Sequence, residues 1–266
     1  MGALLVADAG AVAVGAGPVI TAVPAGAGST FTVRGTSVAA NVNLVGLAGK
    51  SAAASMVRVR STYLSDNVQG IRYNIGINGD DLIGGPPYQS LQPQDQLTVE
   101  VNGTAADDVG VLLSSYYDDL SGAQPTLHMP GDLSSQVDYV TTWVVDAAAA
   151  ATVGNWNNTL ITNDYDESKA NRWYALLGYV CDVAVLGVAL NGADTSNFNI
   201  GGPGVIEPRF TKKYFADLSL QLGKPCIPCF QTPNKGNTNI AVVDSAANTA
   251  VNVTMVVAVM KSGASL

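Results

Sequence analysis

A segment in the first half of the chain recurs in the second half. Tyr63–Pro86 and Tyr179–Pro203 both begin with Tyr-x-x-Asp, continue through an apolar run and an Asn-Gly pair, and end with Ile-Gly-Gly-Pro. Their first residues are 116 positions apart (179 − 63) and their last are 117 apart (203 − 86). A single repeat on this scale indicates a duplication rather than a short-period solenoid. We therefore predict that the chain consists of two similar halves.

A second pair of segments follows these landmarks. Val101–Leu113 and Val243–Met255 each read as a strand, a small polar turn and a second strand, which predicts a closing hairpin in each half. They are 142 positions apart (243 − 101), so the second half should carry 25 extra residues before its hairpin (142 − 117). Phe210–Leu222 supplies part of that length. Its apolar residues fall at helical spacing and Gly223 is a typical stop, so we predict a helix there.

Short strand-like segments separated by Gly and Asn turns recur along the chain, which is typical of β-sandwiches and jelly rolls. Met56–Arg60 shows the alternation most clearly. In it, Val57 and Val59 are expected to point inward and the two arginines outward, because successive side chains of a strand point to opposite faces.

These patterns together predict an all-β protein made of two tandem jelly-roll β-sandwiches, with one short helix inserted in the second half. The tract 118–131 contains two glycines and two prolines and marks the expected boundary, so the predicted domains are 1–130 and 131–266. Residues 1–17 are mostly Ala, Gly and Val and are expected to form a loose arm or a late-ordering strand.

The chain has few charges. Charged residues make up 13% of it, against a usual fraction of about 25%. Two explanations remain open: part of the surface is covered by further copies of the chain, since interface cores are depleted in charge, or the surface is polar and uncharged. The net charge of −8 with 13 basic residues argues against non-specific binding to nucleic acid, which needs a cluster of Lys and Arg.

Neither a signal peptide nor a membrane-spanning helix is expected. Residues 2–8 contain no basic residue. The most apolar window, Val140–Val153, contains Asp146 and is shorter than the ~18 residues that a spanning helix needs. We therefore expect synthesis and folding in a cytoplasm.

The three cysteines do not predict a disulfide framework, because their number is odd and no export signal is expected. Cys226 and Cys229 have the spacing of half a zinc site or of a redox motif. A zinc site needs four ligands, however, and the chain's single histidine, His128, is far away in sequence. We interpret the two cysteines as small apolar residues of a Pro-rich loop, and no further role follows for them.

No catalytic motif is found. No Gly-x-Ser-x-Gly sequence surrounds a serine, and His128 lies in an apparent linker, so we predict that the protein is not an enzyme and has no cofactor. Three pairs of adjacent carboxylates are interpreted as solvated turns, because Asp favours turns for local reasons. These are Asp80 with Asp81, Asp107 with Asp108, and Asp118 with Asp119.

Two other groups of residues are weak candidates for binding. Asp164, Asp166 and Glu167 offer oxygen ligands for a metal ion, but they lack the spacing of a calcium-binding loop. Tyr116–Tyr117 and Trp156 could stack on sugars or bases, although burial is the commoner fate of aromatic side chains.

The architecture resembles that of the double jelly-roll major capsid proteins of tailless, membrane-containing bacteriophages, with the compact corticovirus-type members most similar in size. The residues that carry the resemblance are the two Ile-Gly-Gly-Pro landmarks, the two closing hairpins and the Phe210–Leu222 helix. The resemblance covers most of the chain and is one of architecture.

This resemblance implies a structural role. The chain would be a major capsid protein that forms homotrimers of pseudo-sixfold outline, and the trimers would tile an icosahedral virion shell above an internal membrane. The expected partners are other copies of the chain and minor capsid or membrane proteins of the virion. No sequence-specific nucleic acid is expected.

Two other functions remain open at this point. One is a β-sandwich carbohydrate-binding or adhesion module that uses the loop Asn155–Lys169. The other is a hydrolase that uses one of the acidic pairs on a β scaffold, which would require two carboxylates to converge across a cleft.

Overall fold

The computed structural model describes residues 2–12, 14–15, 28–33, 42–50, 56–63, 70–74, 80–81, 89–102, 109–120, 125–147, 154–161, 171–204, 211–232, 237–243 and 250–266. The strands described up to residue 120 are β1 (Gly2–Val12), β2 (Val14–Gly15), β3 (Gly28–Thr32), β4 (Val42–Lys50), β5 (Met56–Arg60), β6 (Ile71–Asn74), β7 (Asp80–Asp81), β8 (Gln89–Leu91), β9 (Gln96–Asn102) and β10 (Val109–Leu120).

The described strands of the second half are β11 (Leu127–His128), β12 (Val137–Ala147), β13 (Trp156–Leu160), β14 (Trp173–Cys181), β15 (Gly187–Asn191), β16 (Ile200–Pro203), β17 (Ile227–Gln231), β18 (Asn239–Val243) and β19 (Val251–Met260). The described helices are α1 (Pro130–Ser134), a 3-10 helix (Ala193–Thr195) and α2 (Tyr214–Leu222).

The strands form two pairs of sheets with the same internal order. In the first half, one sheet runs β1-β10-β4-β7, with β8 also on β4, and the other runs β2-β9-β5-β6, with β3 also on β9. In the second half, the sheets run β11-β17-β14-β19-β12 and β13-β18-β15-β16. In the first half β1 pairs with β10, and β10 pairs with β4. In the second half β12 pairs in the same way with β19, and β19 pairs with β14, the equivalent of β4. This order is that of a jelly roll, so the predicted fold class is confirmed: the protein is all-β with two tandem jelly rolls.

The duplication is visible in the strand lengths. Strands β4 and β14 have nine residues each and β5 and β15 have five each, and both pairs are offset by 131 positions (173 − 42 and 187 − 56). The alignment predicted from the landmarks is nevertheless wrong. Tyr63 follows β5, whereas Tyr179 lies in β14, the equivalent of β4. Ile83–Pro86 lies outside the described residues. Asn-Gly and Gly-Pro turns recur between many strands of such a fold, so short matches align readily in the wrong register.

The two predicted closing hairpins are also wrong. Strands β9 and β10 lie in different sheets, and so do β18 and β19. Each polar turn therefore carries the chain from one sheet of the sandwich to the other. The turn residues predict a reversal of direction in both cases but do not specify the partner of the next strand.

The prediction of a loose N-terminal arm is wrong for residues 2–12. These residues form β1 and pair along their whole length with β10. Leu5, Val6 and Ala7 are buried, so the strand contributes to the core although its small residues give it little local preference. The alternative of a strand in this region is confirmed.

The core of the second jelly roll is built on aromatic rings. Trp143 contacts Tyr174 at 4.9 Å between ring centroids, and Tyr174 lies 5.5 Å from Phe230. Three strands of one sheet, β12, β14 and β17, thus contribute one ring each. Aromatic pairs of this kind stabilise by about 0.5–1.5 kcal/mol beyond the burial of their area.

The predicted helix is confirmed as α2, which packs against β14. Tyr214 and Phe215 contact the ring of Tyr179, and the helix ends at Gly223 in the left-handed conformation (φ +64°). The ring of Tyr214 covers Gly202 so closely that an added Cβ would lie 2.2 Å from its Cζ. The Gly-Gly pair of the second landmark therefore makes room for the helix.

A buried apolar cluster joins the two jelly rolls. Ala7, Ala48 and Leu112 of the first half form one buried cluster with Leu186 and Val243 of the second. The backbone N–H of Ala7 also donates to the carbonyl oxygen of Asn199 at 2.9 Å. Part of the low charge of the chain is thereby explained, because this contact buries small apolar side chains. The boundary at residue 130 stays a prediction, and β11, which precedes it, pairs with β17.

Candidate functional site: an exposed edge strand

Strand β12 presents apolar side chains to solvent at the edge of its sheet. Tyr139, Val140 and Val144 are 45%, 55% and 47% exposed, and we call these three residues the β12 surface. Val140 and Val144 alternate with the buried Trp143 and Val145, so one face of the strand enters the core and the other is open. Scattered apolar residues are normal on surfaces, but a group on one edge strand marks a possible interaction site.

The place of β12 in its sheet adds to this surface. Its register runs from Val137 to Ala147 against β19, and β12 is the last strand of its sheet among those the structure describes. Strands at the edge of a sheet are common places of contact with other chains. The β12 surface therefore combines exposed apolar side chains with a position at the end of the described sheet.

One end of the β12 surface is held by a buried cation. Arg172, whose side chain is nearly fully buried, forms an ion pair with Asp138 of β12. Its guanidinium also lies 5.7 Å from the centroid of the Tyr139 ring. This contact orients Tyr139, because a cation over an aromatic face is attracted to it.

The cysteines lie in the interior. Cys226 and Cys229 are buried free thiols, and Cys229 belongs to β17 rather than to a loop. Burial raises the pKa of Cys226 to about 12 and raises the pKa of Cys229 as well. Because the thiolate is the reactive form, burial makes both thiols less reactive at neutral pH. They are small buried residues, as predicted, but their position in a loop is wrong for Cys229.

His128 lies in β11 and pairs through its backbone with Ile227, so the interpretation of its segment as a linker is wrong. Its Nε2 is buried, and burial lowers the pKa of the ring, an effect that nearby Asp132 partly opposes. Among the described residues, no group of three or more His, Cys, Asp or Glu side chains lies close enough to hold a metal ion. Asp164, Asp166 and Glu167 lie outside the described residues.

The other predicted binding residues are used structurally. Tyr116 and Tyr117 are buried, and Trp156 packs against the cluster between the two halves. Asp118 forms an ion pair with Lys224, which links β10 to the segment after α2. Asp107 and Asp108 lie outside the described residues. The loop Asn155–Lys169 is described only to residue 161, where it contains strand β13.

The landmark Tyr-x-x-Asp of the second half has a physical basis. The hydroxyl of Tyr179 donates to the carbonyl oxygen of Pro203 at 3.0 Å, so the two ends of that segment are joined. Asp182 accepts hydrogen bonds from the backbone N–H of Asn252 at 2.9 Å and from its side-chain amide at 2.7 Å. The landmark thus connects β14 to β16 and to the start of β19.

The hydrogen bonds to Asp182 predict a small loss of stability in acid. The side-chain amide of Asn252 is the main cause that lowers the pKa of Asp182 below its usual 3.8. The resulting stabilisation is present above the pKa of the unfolded chain and is lost as the pH falls through the lower folded pKa. Because Asp182 is exposed, we expect less than about 1 kcal/mol. Urea unfolding at pH 7 and pH 3 should show a smaller difference for Asp182→Asn than for the parent chain. An equal difference would contradict the prediction.

Within the described residues, the helices are all too short or too polar to cross a bilayer. With its strand order, the chain falls in the class of proteins with two tandem jelly rolls.

Comparisons with known proteins do not assign the chain to a family. No family model matches the chain, and no curated protein matches it. Among solved structures, the chain is similar to the exported protein XepA of PBSX (9% identity, 87% of this chain and 84% of that one, TM-score 0.23). It is also similar to the STIV MCP (7%, 97% of each chain, 0.22) and to the major capsid protein P2 of bacteriophage PM2 (7%, 99% and 100%, 0.19). These TM-scores lie well below 0.5, so the likenesses carry no conclusion about function.

Proposed function

We propose that the chain is a major capsid protein, a structural component of a virion that acts by assembly and not by turnover. The observation that carries this proposal is the pair of jelly rolls with the same strand order, fixed side by side by a buried apolar interface. Three such chains present six similar units around one axis. A homotrimer therefore has a pseudo-sixfold outline that can tile an icosahedral shell.

The β12 surface is the proposed contact between neighbouring chains. Burial of apolar area contributes about 25 cal/mol per Å², from which the cost of association is subtracted. Tyr139, Val140 and Val144 supply apolar area at the edge of the second jelly roll. Minor capsid or membrane proteins of the virion are further proposed partners.

The oligomeric state tests the proposal. We expect light scattering of the isolated chain at micromolar concentration to give three times 27.3 kDa, or 82 kDa. Electron microscopy of the particles that contain the chain should show pseudo-sixfold capsomers. A monomer by light scattering, together with particles that lack such capsomers, would sink the proposal.

Charged substitutions on the β12 surface should prevent this assembly. In the variant Val140→Asp with Val144→Asp, two carboxylates would have to be buried in the contact, which is unfavourable without partners. We expect the variant to be monomeric by light scattering and to keep the far-UV circular dichroism spectrum of the parent chain, because both valines are exposed in the isolated chain. Val183→Asp is the matched control, because Val183 is an exposed valine away from β12. If the double variant remains a trimer, β12 is not the contact.

A further inference from the structure

A polar pocket of about 420 Å³ lies at one end of the first jelly roll. It is formed where β5 ends and β9 begins, and its lining includes Arg60, Tyr63, Gln94, Asp95 and Gln96. The pocket belongs to the first jelly roll, whereas β12 belongs to the second. Its volume falls within the range of small-molecule sites, about 300–1,000 Å³.

Asp95 is the unusual residue of this pocket. It is only 5% exposed, and its Oδ2 is buried without a hydrogen-bond partner. The backbone holds it firmly, because Val33 N–H donates to the carbonyl oxygen of Asp95 at 2.8 Å and Gln94 N–H donates to that of Val33 at 2.7 Å. A buried carboxylate oxygen without a donor is unfavourable. A ligand that brings a hydroxyl group would supply the donor.

The loop backbone next to Asp95 is strained. Gln94 has φ +65°, a left-handed conformation that costs a non-glycine residue roughly 1 kcal/mol. Such strain concentrates at sites where a side chain must be placed for function. Here it places three polar side chains, Gln94, Asp95 and Gln96, together in the lining of one pocket.

The charges of the pocket favour a neutral ligand. Arg60 and Asp95 are the charged residues among those that line it. The guanidinium of Arg60 already donates two hydrogen bonds to Glu100, at 3.1 and 3.2 Å. The two lining charges are of opposite sign, so neither an anion nor a cation is selected by net charge.

Tyr63 supplies an aromatic face at the rim. Its side chain is 69% exposed, and its backbone N–H is fixed by a hydrogen bond to Ser61 Oγ at 3.1 Å. A large exposed ring beside a polar pocket has an apolar face and a polar hydroxyl tip. The C–H face of a sugar ring can stack on such a ring while its hydroxyl groups enter the pocket.

We propose that this pocket binds a neutral saccharide. The ring of Tyr63 would stack on the sugar, and Asp95 would accept a hydrogen bond from one of its hydroxyl groups. The amides of Gln94 and Gln96 each offer donors and an acceptor, which matches neighbouring hydroxyl groups. The inference goes beyond the coat function and does not depend on it, because the binding can be measured on the isolated chain.

Saturation-transfer NMR on the isolated chain tests the proposal with glucose, galactose, mannose, N-acetylglucosamine and their common disaccharides. We expect a signal for at least one of these sugars. We also expect the affinity for that sugar to fall at least about tenfold in Tyr63→Ala and in Asp95→Asn. Tyr63→Ala should keep the parent unfolding midpoint, because the removed ring is exposed. This variant therefore remains informative if Asp95→Asn folds poorly.

The matched control is Leu220→Ala, which removes another exposed apolar side chain, on α2 of the second jelly roll, and should bind the sugar as the parent chain does. The proposal is overturned if no neutral sugar gives a signal, or if Tyr63→Ala binds as well as the parent chain. Binding of only charged probes, such as acetate or methylamine, also overturns it.

Discussion

We expect Glu100→Gln to lower the free energy of unfolding by about 3–5 kcal/mol. Glu100 is buried in β9 and accepts a hydrogen bond from Arg58 Nε at 2.6 Å and another from Arg60 Nε at 3.1 Å. Arg58 is only 1% exposed. Loss of the carboxylate charge weakens the pairing of this buried arginine with Glu100, and a buried charge loses much stability when a partner is removed.

Urea unfolding followed by fluorescence measures this effect. Asp146→Asn is the control, because Asp146 is an exposed acid of a strand and its neutralisation should change the unfolding free energy by less than about 0.5 kcal/mol. The double variant Glu100→Gln with Arg58→Met should recover most of the loss, since an apolar residue in place of a buried charge is often neutral or stabilising. A loss below about 1 kcal/mol for Glu100→Gln would show that water solvates Arg58 and Glu100 in the folded protein.

Arg58 shows where local sequence patterns fail. The alternation of Met56–Arg60 predicts a strand, and that prediction is confirmed with the same bounds. The same alternation predicts that both arginines point away from Val59, and both do reach Glu100 on one face of the strand. The alternation does not predict that Arg58 is buried on that face. Its partner Glu100 lies directly opposite on β9, 42 positions away along the chain. A periodicity of two residues contains no information about a pairing at that distance.

The same limit explains the outcome for the fold. Apolar runs and turn residues were sufficient to predict strands such as β12, β14 and β15, the helix α2 and the duplication. The partners of strands were not predictable, because the turn between β9 and β10 has the composition of a hairpin although it connects two sheets. Jelly-roll order becomes evident only when all the strands are paired.

The candidate sites differ in how far the sequence predicts them. Val137–Val145 is a predicted strand, but its position at a sheet edge, and hence the β12 surface, depends on the order of the whole sheet. Tyr63 is visible in the sequence only as a landmark of the repeat. Asp95 lies in a polar segment with a proline, in which nothing indicates burial. Their meeting in one pocket results from the long-range pairing of β5 with β9.

Leu112→Asp should disrupt the interface between the two jelly rolls. Leu112 is fully buried and faces the second half, where Gly187 approaches it so closely that an added Cβ would lie 2.5 Å from its Cδ1. A carboxylate at this position would be buried among apolar groups without a partner, and we expect a loss of at least about 3 kcal/mol. Gly187 has no side chain that could form a new contact with the introduced carboxylate.

Leu113→Asp is the matched comparison, because the next residue of β10 points into the core of the first jelly roll instead. Hydrogen exchange separates the two effects. Leu112→Asp should increase exchange in β15 and β16 of the second half, although the substitution lies in the first. Leu113→Asp should increase exchange mainly in β4 and β10 of the first half. If hydrogen exchange in the second half is the same in both variants, the apolar cluster does not couple the two jelly rolls. The proposed pseudo-sixfold trimer would then lose the rigid pair of jelly rolls on which it depends.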